Sequence, residues 1–188
     1  MKTIGHHACS SKGGDEVILE KAPFLAEHNP EEDKYQFLGT GYYFWDNNKD
    51  LAKIWGRSRY DNNYRIIAID FELTQDNCYD LVGNRSHQID LVNKMKLFDS
   101  KQNENKSENW TVNQCITFLR TLAKKDKAVF PYDFIRAVDL LNHKKHKKAQ
   151  KQIEFIKEKQ NYTLLNPKIV ICSFEKETLN LGSREIIP

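Results

Sequence analysis

The chain reads as an α+β protein, and three observations lead there. Residues 65–73 (RIIAIDFEL) and 168–174 (KIVICSF) are short, almost continuously apolar runs, the pattern of strands that need cover on both faces. Residues 48–59 and 111–124 repeat their apolar positions at three-and-four spacing, as a helix with one buried face does. Several shorter strand candidates lie between them, with neither an internal repeat nor a convincing linker, so helices segregated around short strands in one domain over residues 1–188 are expected.

The elements follow in order. Residues 3–9 form a first, short strand that runs into the flexible Ser10-Ser11-Lys12-Gly13-Gly14. Val17-Ile18-Leu19 is a helical or extended apolar patch that Pro23 limits, and residues 28–34 (HNPEEDK) are a charged loop turned by Pro30. Residues 37–45 (FLGTGYYFW) are a glycine-punctuated aromatic strand. Asp46 then stands where the helix over 48–59 wants its N-cap, and Leu51, Ile54 and Trp55 mark its apolar positions. After the strand over 65–73, Thr74-Gln75-Asp76-Asn77 makes a turn, and Cys78-Tyr79-Asp80-Leu81 a short edge element before Gly83-Asn84. Helices are expected over 88–99 and 111–124, the second with Cys115, Ile116, Phe118, Leu119 and Leu122 on its apolar face. The polar stretch 100–109 separates them. A strand over 134–139 follows Pro131.

Composition narrows the function classes. With 188 residues, 39% of them hydrophobic and 11% aromatic, the chain buries roughly 70% of its unfolded surface and needs no disulfide or metal staple. Twenty-nine basic against 26 acidic residues leave a net charge of +3, too slight a surplus to announce a nucleic-acid binder. No apolar run approaches the ~18 residues of a membrane span, and the first ten residues lack the apolar stretch of a secretory leader, so a cytoplasmic, membrane-free protein is expected. Cys9, Cys78, Cys115 and Cys172 stand far apart with no CxxC pair, which argues for reduced, apolar thiols and no metal.

Three groups of residues carry chemistry. Residues 142–160 hold seven lysines, among them Lys144, Lys145, Lys147, Lys148 and Lys151; a solvated face is the plainer account, and a landing strip for phosphates the functional one. In Tyr42-Tyr43-Phe44-Trp45, strand alternation sends Tyr43 and Trp45 to one face and Tyr42 and Phe44 to the other. One face can then fill a core while the other offers a flat ring to a planar ligand. Gly39 and Gly41 just upstream turn the chain tightly or let something approach the backbone closely. His6-His7, followed by Ala8-Cys9-Ser10, can hold a polar ligand at a strand end.

Taken together, Gly5-His6-His7-Ala8-Cys9-Ser10, then Leu38-Gly39-Thr40-Gly41-Tyr42-Tyr43-Phe44-Trp45, then the helix with Ala52 and Trp55, resemble the ADP-ribosyltransferase fold. The resemblance is to the branch with a His-Tyr-Glu or Gln triad, and within it to a bacterial group with a GxYFW segment. Residues 66–71, 77–81, 132–136 and 169–172 fit in the same order, so the resemblance spans nearly the whole chain. It implies two small, packed, mostly antiparallel sheets with flanking helices, and NAD as substrate with no metal.

Position by position, the resemblance makes His7 and Tyr43 the catalytic pair. His7 would grip the adenosine ribose hydroxyls, and Tyr43 would stack on the nicotinamide ring. Ala8 would hold the carboxamide through its backbone, Gly41 and Tyr42 would line the site, and His6 is the alternative to His7 by one register step. Arg136, among apolar neighbours, either points to solvent or meets an anion such as the pyrophosphate. The chain departs from the pattern where a Glu or Gln should steady the charge developing on the ribose, because that position falls on Val170. Glu175 and Glu177 lie beyond it, Glu175 by more than ~15 Å on a regular strand. The register differs, a substrate group completes the site, or the chain binds NAD without turnover.

The activity so implied is mono-ADP-ribosyl transfer to a protein, nucleic-acid or small-molecule acceptor, in a toxin or phage-defence setting that would bring an antitoxin or immunity partner. The alternative is a catalytically degenerate module of the same fold that recognises NAD, ADP-ribose or a partner protein. A third account, an unrelated α+β enzyme, would use Cys9 as nucleophile with a histidine.

Overall fold

The computed structural model describes residues 1–102, 110–139, 152–154, 162–164 and 167–187. Two nine-residue strands, β1 (Lys2–Ser10) and β3 (Tyr64–Glu72), pair antiparallel over their full length, from Lys2 against Glu72 to Ser10 against Tyr64. Between them come α1 (Gly14–Lys21), β2 (Tyr42–Asp46) and α2 (Lys49–Tyr60). Gly13 and Gly14 both take positive φ, at 96° and 83°, so the Ser-Lys-Gly-Gly stretch supplies the left-handed turn that starts α1.

The N-cap of α2 is Asn48, whose Oδ1 accepts from the Leu51 N–H at 3.0 Å, and not Asp46 as the sequence suggests. Asp46 ends β2 instead, and its carboxylate is engaged elsewhere. The chain continues through β4 (Cys78–Asp80), α3 (Arg85–Gln102) and α4 (Val112–Ala123). Thr111 and Gln114 close a reciprocal capping box at the start of α4. The remaining strands are β5 (Phe134–Val138), β6 (Gln152–Glu154), β7 (Tyr162–Leu164), β8 (Ile169–Ser173) and β9 (Glu185–Ile187).

The architecture is mixed α+β, with four α-helices among the described residues. In place of two small packed sheets there is one seven-stranded sheet, in the order β4-β5-β8-β2-β1-β3-β9, and a separate β6–β7 ladder. Every neighbour pair is antiparallel except β4 with β5. The sheet is pinched at its middle, because β1 and β2 share just two pairs, Gly5 with Asp46 and His6 with Trp45.

Strand alternation divides the core between the two faces. Phe44, Ile67, Ile69, Phe71, Phe134 and Ile171 pack on one face under Ile18 of α1. Cys172, Ile135 and Tyr79 pack on the other under Cys115, Ile116 and Leu119 of α4, while Ala52 of α2 covers Ala8 and Ile66. β8 lies between β2 and β5 with Val170 to Ser173 buried, which is why its sequence carries no alternation. Among the described residues no helix is long and apolar enough to cross a membrane. Lys144, Lys145, Lys147, Lys148 and Lys151 lie outside the described residues.

A candidate site at the open end of the β1–β2 seam

The seam determines where backbone polar groups are left over. The Ile4 carbonyl accepts from the Asn47 N–H at 2.8 Å, so Ile4 turns its polar groups toward β2, and alternation gives His6 and Ala8 the same direction. A continued ladder would set the Ala8 N–H against the Tyr43 carbonyl. Pairing stops at His6 with Trp45, and that carbonyl lies 3.0 Å from Nδ1 of His7 instead. The N–H and C=O of Ala8 therefore turn toward β2 just beyond the last β1–β2 backbone pair.

His7 is fixed from both sides. Its Nε2 accepts from the Phe24 N–H at 3.3 Å, so Nδ1 carries the proton and donates to Tyr43. The ring is buried against Phe44 and Phe24, at centroid distances of 5.6 and 6.4 Å. Burial pushes its pKa below the ordinary value, the bond to Tyr43 works the other way, and nearby Lys176 lowers it further. The imidazole is thus neutral at pH 7. His6 points to the opposite face, beneath α2. It is 7% exposed, its Nδ1 has no hydrogen-bond partner among the described residues, and burial lowers its pKa as well.

The tyrosines separate as alternation requires. Tyr43 donates its hydroxyl to the Gly39 carbonyl at 2.6 Å and accepts from the Leu38 N–H at 3.1 Å. Burial raises its pKa far out of the physiological range. Gly39 has φ 83° and makes the turn that this hydroxyl ties. A Cβ on Gly41 would lie 2.4 Å from Sγ of Cys172 and 2.7 Å from the Ser173 carbonyl, so its close approach is to β8, not to a ligand. Tyr42 is half-buried on the His7 face, and its phenol is raised by burial, then by Glu177 and Glu175. The strand runs on for three residues past Val170 and ends at Ser173. Tyr42 pairs with Ser173, and the turn beyond brings both glutamates close enough to act on Tyr42.

The other predicted residues have structural partners. Val170 is 4% exposed and sits mid-sheet, opposite Trp45 on one side and Ala137 on the other, so no acid stands at that position. Arg136 meets neither solvent nor a free anion site. Its Nε donates to Asp46 at 2.6 Å and its Nη1 to Asp80 at 3.2 Å, and Thr3 donates its hydroxyl to the same Asp46. Two carboxylates already balance the guanidinium, which ties β5 to β2 and β4. Cys9 is 2% exposed and its thiol is pushed up to about 11 by burial, which removes the thiolate a cysteine nucleophile needs.

A cleft of about 710 Å³ opens at the other end of β1, lined by Thr3, Asn47, Asp70, Phe71, Asn77 and Phe134 among others, and none of the predicted residues lines it. Sequence reasoning missed the Phe24 N–H, the Asp46–Arg136–Asp80 tie and the nearness of Glu177 to Tyr42. The first is a backbone contact with no sequence signature, and the others depend on strand order. No family model matches the chain, and no curated protein and no solved structure matches it either.

Proposed function

We propose that the open end of the β1–β2 seam binds NAD, and that the protein is an ADP-ribosyltransferase-like enzyme that breaks the nicotinamide–ribose bond and passes ADP-ribose to an acceptor. One observation carries this reading: the Ala8 N–H and C=O turn toward β2 beyond the last β1–β2 backbone pair, while the Tyr43 carbonyl is taken by His7. A carboxamide is the complement of that backbone pair, since its oxygen accepts from the N–H and its amino group donates to the C=O. Tyr43 lies on the face opposite His7, in the cluster under α4 and beside Phe37, so in this reading its ring meets a planar, cationic ring from that face. At Nε2 of His7 a ribose hydroxyl would replace the Phe24 N–H as donor.

In the reaction so assigned, the bond between ribose C1′ and the nicotinamide nitrogen breaks, and its electron pair leaves with nicotinamide, now neutral. The positive charge left on the ribose needs a carboxylate. In this reading Glu177, which with Glu175 adds to the effect of burial in raising the Tyr42 phenol, takes the part that Val170 cannot. An acceptor oxygen or nitrogen then attacks C1′ and gives up its proton. Electrostatic stabilisation of this kind is worth on the order of 10²–10³ in rate for one group. A second reading, a binding module without turnover, is favoured by the buried Val170 and by a His7 whose two nitrogens are both engaged.

Nicotinamide release from NAD, measured beside NAD binding by calorimetry, tests both. The enzyme releases nicotinamide, and Glu177→Gln cuts the rate about 100-fold or more while NAD still binds. Binding without release selects the module. Neither binding nor release disposes of both.

A further inference from the structure

Helix α4 carries a cation that the seam does not use. Down one flank, Asn113, Thr117, Arg120 and the C-cap Lys124 recur at three-and-four spacing, within about 60° of one another around the axis. That flank receives the turn before β2. Nδ2 of Asn113 donates to the Gln36 carbonyl, a Cβ on Gly39 would lie 3.3 Å from Oγ1 of Thr117, and Nη1 of Arg120 donates to the Thr40 carbonyl. The half-buried guanidinium also lies over the Phe174 ring, 4.3 Å from its centroid. These contacts hold the group in place, yet none of them neutralises it. Neither Arg120 nor Lys124 forms an ion pair with a described residue, and Glu175 acts on Arg120 from outside ion-pair distance.

Among the described residues, the hydrogen bond of the guanidinium is the one made by Nη1. Its Nε–Nη2 edge keeps two parallel N–H donors, the fork that fits two oxygens of one oxyanion. The edge is not sealed in, because the fully enclosed polar atoms without a partner among the described residues belong to His6 and Trp110. We infer that this edge anchors a phosphate-binding site, completed by the Lys124 ammonium one turn on and the Thr117 hydroxyl one turn back. Two cations and a bidentate fork favour a phosphate or diphosphate over a single carboxylate. The site stands beside Tyr43, on the same face of the sheet, since the Tyr43 hydroxyl is tied to the carbonyl of Gly39, the residue before Thr40. Where the NAD reading holds, the phosphate is the dinucleotide's own; otherwise a separate phosphate ester supplies it. The binding itself does not depend on that reading.

The test is calorimetry of the full chain with inorganic pyrophosphate, at low ionic strength and without NAD. Saturable binding at about 1 mM or tighter is expected. Arg120→Lys keeps the charge and loses the fork, so it should weaken binding about tenfold. Lys124→Gln, at an exposed position, should weaken it several-fold and flatten its dependence on salt. Thermal melts followed by circular dichroism check that both variants are folded. Absence of saturable binding, equal binding by the parent and both variants, or acetate binding as tightly as pyrophosphate would overturn the proposal. Added NAD tells the two sources of phosphate apart. Competition with pyrophosphate assigns the site to the dinucleotide, and pyrophosphate binding unchanged by NAD assigns it to a separate ester. Nicotinamide release is read in its own assay, so failure of the transferase reading is seen independently.

Discussion

Nδ1 of His7 donates to the carbonyl of Tyr43 across 3.0 Å, just past the last backbone pair between β1 and β2. A side chain thus replaces a rung at the point where the two halves of the sheet part. His7→Ala would leave the Tyr43 carbonyl and the Phe24 N–H unpaired in a buried place. Each orphan costs about 1–3 kcal/mol, so a loss of about 2–6 kcal/mol is expected in urea unfolding. His7→Gln, which can restore one of the two bonds, should recover part of it; equal stability for the alanine variant and the parent would contradict the assigned bonds.

The ring and the hydroxyl of Tyr43 have different tasks. Tyr43→Phe removes the ties to Leu38 and Gly39 and should lower stability by about 1–2 kcal/mol, yet it keeps the flat face. NAD affinity should therefore survive in Tyr43→Phe and fall in Tyr43→Ala. A phenylalanine variant as weak as the alanine one would show that the hydroxyl, not the ring, meets the ligand.

Arg136 should behave as a fold residue. Its side chain is 12% exposed and that of Asp46 6%, and breaking such a buried pair from one side typically costs roughly 3–5 kcal/mol. Arg136→Met should show a loss of that size in denaturant midpoints, with NAD affinity per folded molecule unchanged. A stable variant with weakened NAD binding would return the guanidinium to the anion-binding set.

Acid should destabilise the protein in a definite window. Burial holds His6, His7 and His87 below the ordinary histidine value, so the folded state resists their protonation. Their contribution is complete above the unfolded value near about 6.5. It falls as pH drops from there toward the folded values, by up to about 1.4 kcal/mol per pH unit for each of the buried pair His6 and His7. Urea midpoints taken between pH 7.5 and 5 should decline, and His7→Gln should flatten the decline. A midpoint that rises toward pH 5 would be incompatible with these environments.

What could be read in advance divides along physical lines. The long strand at residues 64–72 is legible because burial on both faces makes its middle continuously apolar, and the helix at 112–123 because burial of one face imposes a periodicity. Cys78–Asp80 was expected at an edge and lies there. Asp46 misleads because an aspartate suits an N-cap in general, whereas here a buried guanidinium 90 positions away claims it. The chemistry at Ala8 has no side chain to announce it, so its role can be seen only once the ladder is known to stop beside it.

The position of β8 has a consequence for biosynthesis. β2 and β5 each take β8 as a neighbour, and Gly41 is shaped to receive Cys172 and Ser173. Until residues 169–173 have left the ribosome, both strands keep open, hydrogen-bonding edges, the kind that recruit other chains. β1 and β3 can pair long before that, so this half of the sheet is free to form during translation. The half built on β8 must wait for contacts of very high sequence separation, which close slowly. The outer edge of β2, with Tyr42 to Trp45 along it, is therefore covered only once residues 170–173 arrive.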